Sequence, residues 1–185
     1  MERDAEATKR RLIAAGRAEF AAYGLHGARV DRIAAAAQSN KAQIYHYFGN
    51  KSGLFDAVWS ELVELIVVGV PLDVDDLPGF AAGLSDLYEE HPDMPRIITW
   101  QRLEHGDALN DLGVAEVRAR SAAIADAQAR GLVSTRFEPQ VLFALLVHLA
   151  MLWAAANPEV LTVIDLAGRE QRREMVRRIA TAMVE

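Results

Sequence analysis

Two short apolar stripes at helical spacing, Val30-Ile33-Ala34-Ala37 and Ile44-Phe48, are separated by only three polar residues, Gln38-Ser39-Asn40. Apolar residues at i, i+3, i+4 and i+7 give a helix one face to bury, and three residues suffice for a tight turn and little else. Asn40 is a good N-cap for the second stripe, and Gln43, three residues on, is placed to return a hydrogen bond to it. The spacing predicts a short helix, a turn and a capped second helix ending at Phe48, which is the helix-turn-helix arrangement.

The remainder of the chain carries the same helical period, and β-branched runs bounded by turn residues are missing, so the expected fold class is all-α. A first helix is expected from about Asp4 to Tyr23, with Leu12, Ile13, Gly16, Phe20 and Tyr23 on one face and Gly24 in the left-handed position after its end. Gly49-Asn50 ends the third helix, and Asn50 caps a fourth that runs through Val70. Pro71 to Pro78, with Asp73, Asp75 and Asp76, is an acidic loop. Five more helices are expected at about Gly79 to Glu90, Pro95 to His105, Leu112 to Arg130, Pro139 to Ala156 and Arg169 to Val184. The domains expected are 1–50, a three-helix head that holds the helix-turn-helix, and 51–185, a helical domain of about six helices.

Charge supports that division. The chain has a net charge of −6, but residues 1–51 hold nine Lys/Arg against five Asp/Glu, a balance of +4, leaving −10 for the rest. A basic contact module on an acidic body is the expected pattern for a nucleic-acid binder; chance clustering of solvated charge is the alternative. There is no cysteine, hence no disulfide framework, thiolate metal site or cysteine nucleophile. Met1 to Arg10 lacks an apolar signal region, and the longest apolar run, Val141 to Ala156, falls short of the roughly 20 residues of a membrane span. The expected compartment is the cytoplasm, with no membrane partner.

The segments Gly24-Leu25-His26-Gly27-Ala28-Arg29-Val30-Asp31-Arg32-Ile33-Ala34 and Ile44-Tyr45-His46-Tyr47-Phe48-Gly49-Asn50-Lys51-Ser52-Gly53-Leu54 resemble the tetracycline-repressor (TetR) family. The likeness covers about the first 55 residues; the rest agrees in being helical and of suitable length. There are departures. Arg29 stands where a capping threonine is usual, Gln38-Ser39 where the turn usually contains glycine, Lys41 where a small residue is common, and Gly53 where an acid is common. These bear on which operator is read, not on the core.

With Ile44 and Phe48 facing inward, the outward surface of the third helix carries Lys41, Gln43, His46 and Tyr47, with Ser39 and Asn40 at its leading end. Lys donates to guanine O6 and N7 and Gln pairs with adenine, each good contact contributing about 1–3 kcal/mol of discrimination. Lys41 in a first turn opposes the helix dipole, which DNA would offset; an exposed, salt-screened lysine is the plainer reading. Gln43 cannot both cap the helix and read a base. The resemblance implies that Tyr45, Tyr47 and Lys51 contact phosphate, packing at the helix edge being the alternative for the two tyrosines. Arg29 joins the candidate DNA contacts.

Two roles suit the acidic half. Dimerisation is one: the run Val141 to Trp153 is apolar all round, and Met175, Val176, Ile179 and Met183 form a stripe with Arg172, Arg173, Arg177 and Arg178 opposite. The resemblance implies a four-helix dimer interface from the last two long helices, with Val141, Leu145, Leu149, Leu152, Met175, Ile179 and Met183 as candidates. The other, implied by the resemblance and with the central helices as its place, is an effector-binding domain with a pocket for a small, largely apolar molecule, for which Trp59, Leu62, Ile66, Tyr88, Trp100, Leu103, His105, Phe143 and His148 are candidates; ordinary core packing is the alternative for each. An enzyme finds little support. A Gly-rich phosphate loop, G-x-S-x-G and H-E-x-x-H are missing, and His26, His46, His91, His105 and His148 never stand at i, i+3 or i+4 to one another. Glu61 with Glu64, or Glu104 with His105, are the carboxylates left to such a reading, and solvated faces explain them better. No cofactor or metal is expected. The sequence thus reads as a ligand-responsive repressor that binds double-stranded operator DNA as a homodimer, with a helical small-molecule-binding protein as the alternative.

Overall fold

A computed structural model describes residues 2–104, 109–165 and 168–185. Among them there are eleven helices and no strand: α1 (Glu2–Gly27), α2 (Val30–Ala36), α3 (Lys41–Phe48), α4 (Lys51–Gly69), α5 (Leu77–Glu90), α6 (Asp93–Glu104), α7 (Asp111–Ala129), α8 (Pro139–Ala150), α9 (Leu152–Ala155), α10 (Pro158–Thr162) and α11 (Arg169–Val184). They fall into two compact units, residues 1–64 with 93–109, and residues 65–92 with 110–185. The expected boundary at 50/51 lies inside the first unit, because α4 enters that unit's core and α6 returns to it.

In the first unit the two apolar stripes pack on α1. Leu12, Phe20, Ile33, Ile44, Leu54 and Phe55 are buried essentially completely, and Phe20 meets Phe55 edge to face with ring centroids 5.1 Å apart. The regular part of α1 stops at Gly24, whose φ of 69° is left-handed, as the sequence suggested; one further turn follows, closed by the Ala28 N–H on the Gly24 carbonyl at 3.2 Å. A Cβ on Gly24 would also stand 2.8 Å from the Trp100 ring of α6. Polar ties fasten α6 beside α1: Arg17 pairs with Asp93, Arg96 Nε donates to the Ala21 carbonyl at 2.7 Å, and Glu104 accepts the Leu25 and His26 N–H groups at 2.5 and 3.2 Å.

The joint between α1 and α2 depends on a second acid. Arg29 replaces a capping threonine and its side chain makes no cap bond, but Glu19 Oε1, on α1, accepts the Arg29 N–H at 2.9 Å and Arg32 Nε at 2.7 Å. Arg32 also lies over the Tyr23 ring, 4.2 Å from its centroid. Burial works to raise the Glu19 pKa, but the Arg32 hydrogen bond and the Arg29 N–H outweigh it and hold the carboxyl below its ordinary value.

The second unit is built on α5, α7, α8 and α11. Phe80 of α5 stacks on Phe143 of α8 at 6.2 Å, and Leu84, Ile124, Leu142 and Leu146 are fully buried around them. The arginines of α11 are not merely solvated. Arg172 grips Glu89 through two bonds of 2.8 and 2.9 Å, Arg173 reaches Asp86 at 2.9 Å, Arg169 reaches Glu90 at 2.7 Å, and Arg177 meets Asp76 at 3.0 Å. Three of those acids lie on α5, so charge as well as the burial of Val176 and Ala180 holds α11 in place. The buried residues of α11 are Val176 and Ala180, while Ile179 stays exposed and Met175 and Met183 half-exposed.

Two expected helices are bounded differently, and one element is new. Asp76 accepts the Gly79 N–H at 2.9 Å and so caps α5 two residues earlier than Gly79. The helix expected over Pro139 to Ala156 breaks at Met151, whose N–H bonds His148 three residues back at 3.1 Å instead of continuing the regular ladder. Asn157 is extended, as a residue before proline must be, and Pro158 then opens α10, an element the sequence pattern did not suggest. Nor is the run Val141 to Trp153 covered all round within the chain: Leu142, Phe143, Leu146 and Ala150 face the core, while Val141 and Leu145 are 45% and 38% exposed.

Glu19→Gln is expected to lower stability at neutral pH by about 1–3 kcal/mol, because Arg32 loses its charged partner, or several degrees in melting temperature. The folded-state pKa of Glu19 lies below its unfolded value, so its contribution is present above about 4.5 and is lost as pH falls through the depressed folded value. Thermal unfolding followed by circular dichroism should accordingly show the two proteins converging in acid.

Candidate nucleic-acid interface

Helix α3 begins as the sequence predicts. Asn40 is extended (φ −129°, ψ 162°) and its Oδ1 accepts the Gln43 N–H at 3.1 Å. Among the described residues the Gln43 amide makes no return bond to Asn40, so the conflict between capping and base reading is resolved and the side chain is available to a ligand. Ile44 alone on α3 is fully buried; Phe48 keeps part of its surface. Lys41, Tyr45 and His46 are exposed, Tyr45 by 52%, while Gln43 and Tyr47 are half-buried. The His46 and Tyr47 rings meet edge to face at 5.0 Å, which limits the rotamers of both.

The preceding turn carries the one non-glycine residue of positive φ among the described residues, Gln38 at 51°. Its N–H bonds the Ala35 carbonyl at 3.1 Å and the Ser39 N–H bonds Ala34 at 2.9 Å, a Schellman ending for α2 in which glycine is the usual occupant of the left-handed site. Arg11 Nε, from α1, adds a bond to the Ala37 carbonyl at 3.2 Å.

The cations are held more firmly than sequence reasoning anticipated. Lys41 Nζ lies 2.6 Å from Asp31 Oδ1 on α2, and that hydrogen bond raises its pKa. Both partners are largely exposed, so the pair is weak and open to exchange for a phosphate. Lys51 Nζ donates to the Ala28 and His26 carbonyls at 3.0 and 3.3 Å. An ammonium has three N–H groups; two brace the α1–α2 joint and one is left to point elsewhere. Next to Lys51, Asn50 Oδ1 accepts the Gly53 N–H at 2.8 Å, capping α4. A Cβ on Gly53 would overlap the Phe48 carbonyl, so the departure from an acid at this place fits the close α3–α4 corner. Arg29 is exposed at the start of α2. Sequence reasoning missed Glu19, Glu104 and Arg11, which hold the joint and the turn; no local pattern marks them, since each acts across a fold in the chain.

The candidate effector residues are divided between the two units. Leu62 is core of the first unit, Trp59 is half-buried in it, and Trp100 packs on Gly24 there; Leu103, on the outer side of α6, is 68% exposed. In the second unit Phe143 is engaged with Phe80 and Ile66 is half-buried. His148 faces solvent with Nδ1 2.7 Å from its own helix's Ala144 carbonyl. His105 lies outside the described residues. Tyr88, 3% exposed, lines a cavity of about 620 Å³ with Pro92, Trp153, Leu161, Ile164 and the Glu89–Arg172 pair. Burial pushes the Tyr88 hydroxyl up to about 12, so it stays a neutral donor.

A capped helix with outward polar and aromatic side chains, joined by a tight turn to a helix braced from behind, can enter a major groove while its flanks meet phosphates. The fold and this surface define a DNA-binding transcriptional regulator of the helix-turn-helix class. Residues 12–58 match the family described as bacterial regulatory proteins, tetR family, and residues 76–184 match the tetracyclin repressor-like C-terminal domain. The chain belongs to the TetR family. Over its length it is 37% identical to the HTH-type transcriptional repressor SCO4008 of Streptomyces coelicolor, the alignment covering 99% of this chain and 98% of the relative. The crystal structure of SCO4942, from the same organism, superposes with a TM-score of 0.87 at 34% identity, covering 96% of this chain and 98% of that one. The structure of AibR in complex with isovaleryl coenzyme A and operator DNA shares the fold, with a TM-score of 0.70 at 16% identity over 93% of this chain and 97% of that one. No described helix is long and apolar enough to cross a membrane.

Lys51→Ala is expected to weaken binding to specific and random duplexes alike and to reduce the dependence of log K on log salt by about one unit for each subunit bound. Fluorescence anisotropy titrations between 50 and 200 mM salt, about the range over which such contacts are felt, measure this; an unchanged slope would leave Lys51 a brace only.

Proposed function

We propose that the protein is a homodimeric repressor that reads a palindromic operator through α3 of each subunit and is released by a small, largely apolar effector. The observation that carries this reading is the α3 surface, where Lys41, Gln43, Tyr45, His46 and Tyr47 project from a helix fixed by Ile44, with Lys51 and Arg29 at its flanks. Lys41 and Gln43, with Ser39 and Asn40 at the leading end, are assigned to base edges; Tyr45, Tyr47 and Lys51 to phosphates. A regulator of this kind works on chromosomal DNA, which puts it in the bacterial cytoplasm.

A single recognition helix reads too few bases for a genome, and two related by a two-fold axis read half-sites about 34–36 Å apart or at multiples of that. The uncovered apolar residues of α8 and α11 support the dimer: Val141, Leu145 and Ile179 are exposed, and Leu149, Leu152, Met175 and Met183 are partly so. The α5–α11 ion pairs turn the other side of α11 inward, so this apolar side is the one left for a second copy. Replacing Leu145 and Ile179 by Glu is expected to give a monomer in sedimentation at micromolar concentration and to weaken operator binding about tenfold or more.

The effector would occupy the second unit. Its cavity of about 620 Å³ lies within the usual range for small-molecule sites, about 300–1,000 Å³, and pairs an apolar wall with few polar groups. The Tyr88 hydroxyl is suited to a carbonyl or carboxylate oxygen. A ligand that prefers the conformation unable to bind DNA lowers DNA affinity by its differential affinity for the two states. Selection of duplexes from a random pool by the purified chain tests the whole reading: a palindrome is the expected product, and retention of no sequence would leave a helical small-molecule-binding protein in its place.

A further inference from the structure

We infer that Gln38 is a direct contact of this protein with the DNA phosphate backbone. The inference rests on the DNA-binding reading of α3 and adds to it a residue outside the positions so far assigned.

The backbone at residue 38 must be left-handed, because the chain ends α2 there and starts α3 three residues later, and the Schellman bonds of Gln38 and Ser39 fix that geometry. Glycine meets the requirement without steric cost; a residue with a Cβ does not, and glutamine lacks the short side chain by which Asn and Asp offset the strain through a local hydrogen bond. Gln38 gains nothing from the rest of the chain in return. It is exposed, and among the described residues its amide has no hydrogen-bond partner. Folding alone would therefore favour glycine. Strain held at a surface turn without an internal partner points to an external one.

Its place indicates what that partner is. Of the two helices in such a motif, the first crosses the DNA backbone and the second lies in the major groove with its N-terminal residues at the base edges. Gln38 stands between them, two residues before the Asn40 cap. That puts it at the groove's rim, where phosphate oxygens rather than bases line the surface. A glutamine amide is a neutral donor that can serve a phosphate, and being uncharged it displaces no counterion. Its signature differs from that of Lys51: affinity falls while the salt slope stays unchanged.

Two variants separate contact from backbone geometry. Gln38→Ala keeps the left-handed demand and removes the amide; Gln38→Gly removes both. Binding of the full-length dimer to its selected operator and to a random duplex is measured by anisotropy at several salt concentrations, with thermal unfolding alongside. Both variants are expected to bind each duplex about three- to tenfold more weakly for each subunit in contact, at unchanged salt slope, a loss of the size one hydrogen bond per subunit confers, while only Gln38→Gly melts higher than the parent. Unaltered affinity in Gln38→Ala would overturn the inference, as would a loss confined to the operator, which would make Gln38 a base reader. If the parent protein retained no duplex at all, the regulator reading itself would fail, and this inference with it.

Discussion

The DNA-binding unit depends on carboxylates that accept backbone N–H groups at the end of α1. Glu19 and Glu104 hold the Leu25, His26 and Arg29 N–H groups, and Lys51 approaches the same joint from the other side through the His26 and Ala28 carbonyls. Every polar group freed where one helix ends and the next begins needs such a partner. Here the partners come from α1, α6 and α4, so the angle between α1 and α2, and with it the placement of α3, is set by three elements at once. Glu19 does not replace a threonine cap on the first turn of α2, but it holds the Arg29 N–H and the Arg32 side chain from a different part of the chain.

The second unit uses charge differently. Ion pairs at the surface of a protein contribute little singly, yet four of the five arginines of α11 meet acids at Asp76, Asp86, Glu89 and Glu90 in register along two antiparallel neighbours. Their effect is orientational. They direct one face of α11 to α5 and thereby leave Ile179, with parts of Met175 and Met183, uncovered beside the equally uncovered Val141 and Leu145 of α8. The same interactions that close the subunit prepare the surface proposed for its partner, and they border the cavity that Tyr88 lines.

Within the recognition motif, strong and weak holds alternate in a way that suits reversible binding. Ile44 is locked in the core, whereas the Lys41–Asp31 pair is exposed and readily exchanged for a phosphate or a base edge. Lys51 is partly engaged, with two of its three donors bracing the joint. Gln38 is engaged by backbone geometry and by nothing beyond it. The helix is thus positioned by apolar burial and caps, while the groups assigned to DNA keep donors in reserve.

Local chemistry in the sequence was enough to determine the helices, the three-residue turn, the Asn40 and Asn50 caps, the break at Gly24 and the surface of α3, because periodicity and capping operate within about four residues. It also determined the family, since the motif's spacing lies in one contiguous stretch. What it left open was decided between distant residues. The tertiary structure put α6 with the DNA-binding unit, buried only Val176 of the expected stripe of α11 and Ala180 beside it, broke the helix after Ala150, and set Tyr88 at the cavity of the second unit. Leu103 and His148 are apolar or bulky enough for a core, and only the direction each side chain takes in space leaves them exposed. Size and hydropathy belong to a residue, whereas direction and partner belong to the packed chain.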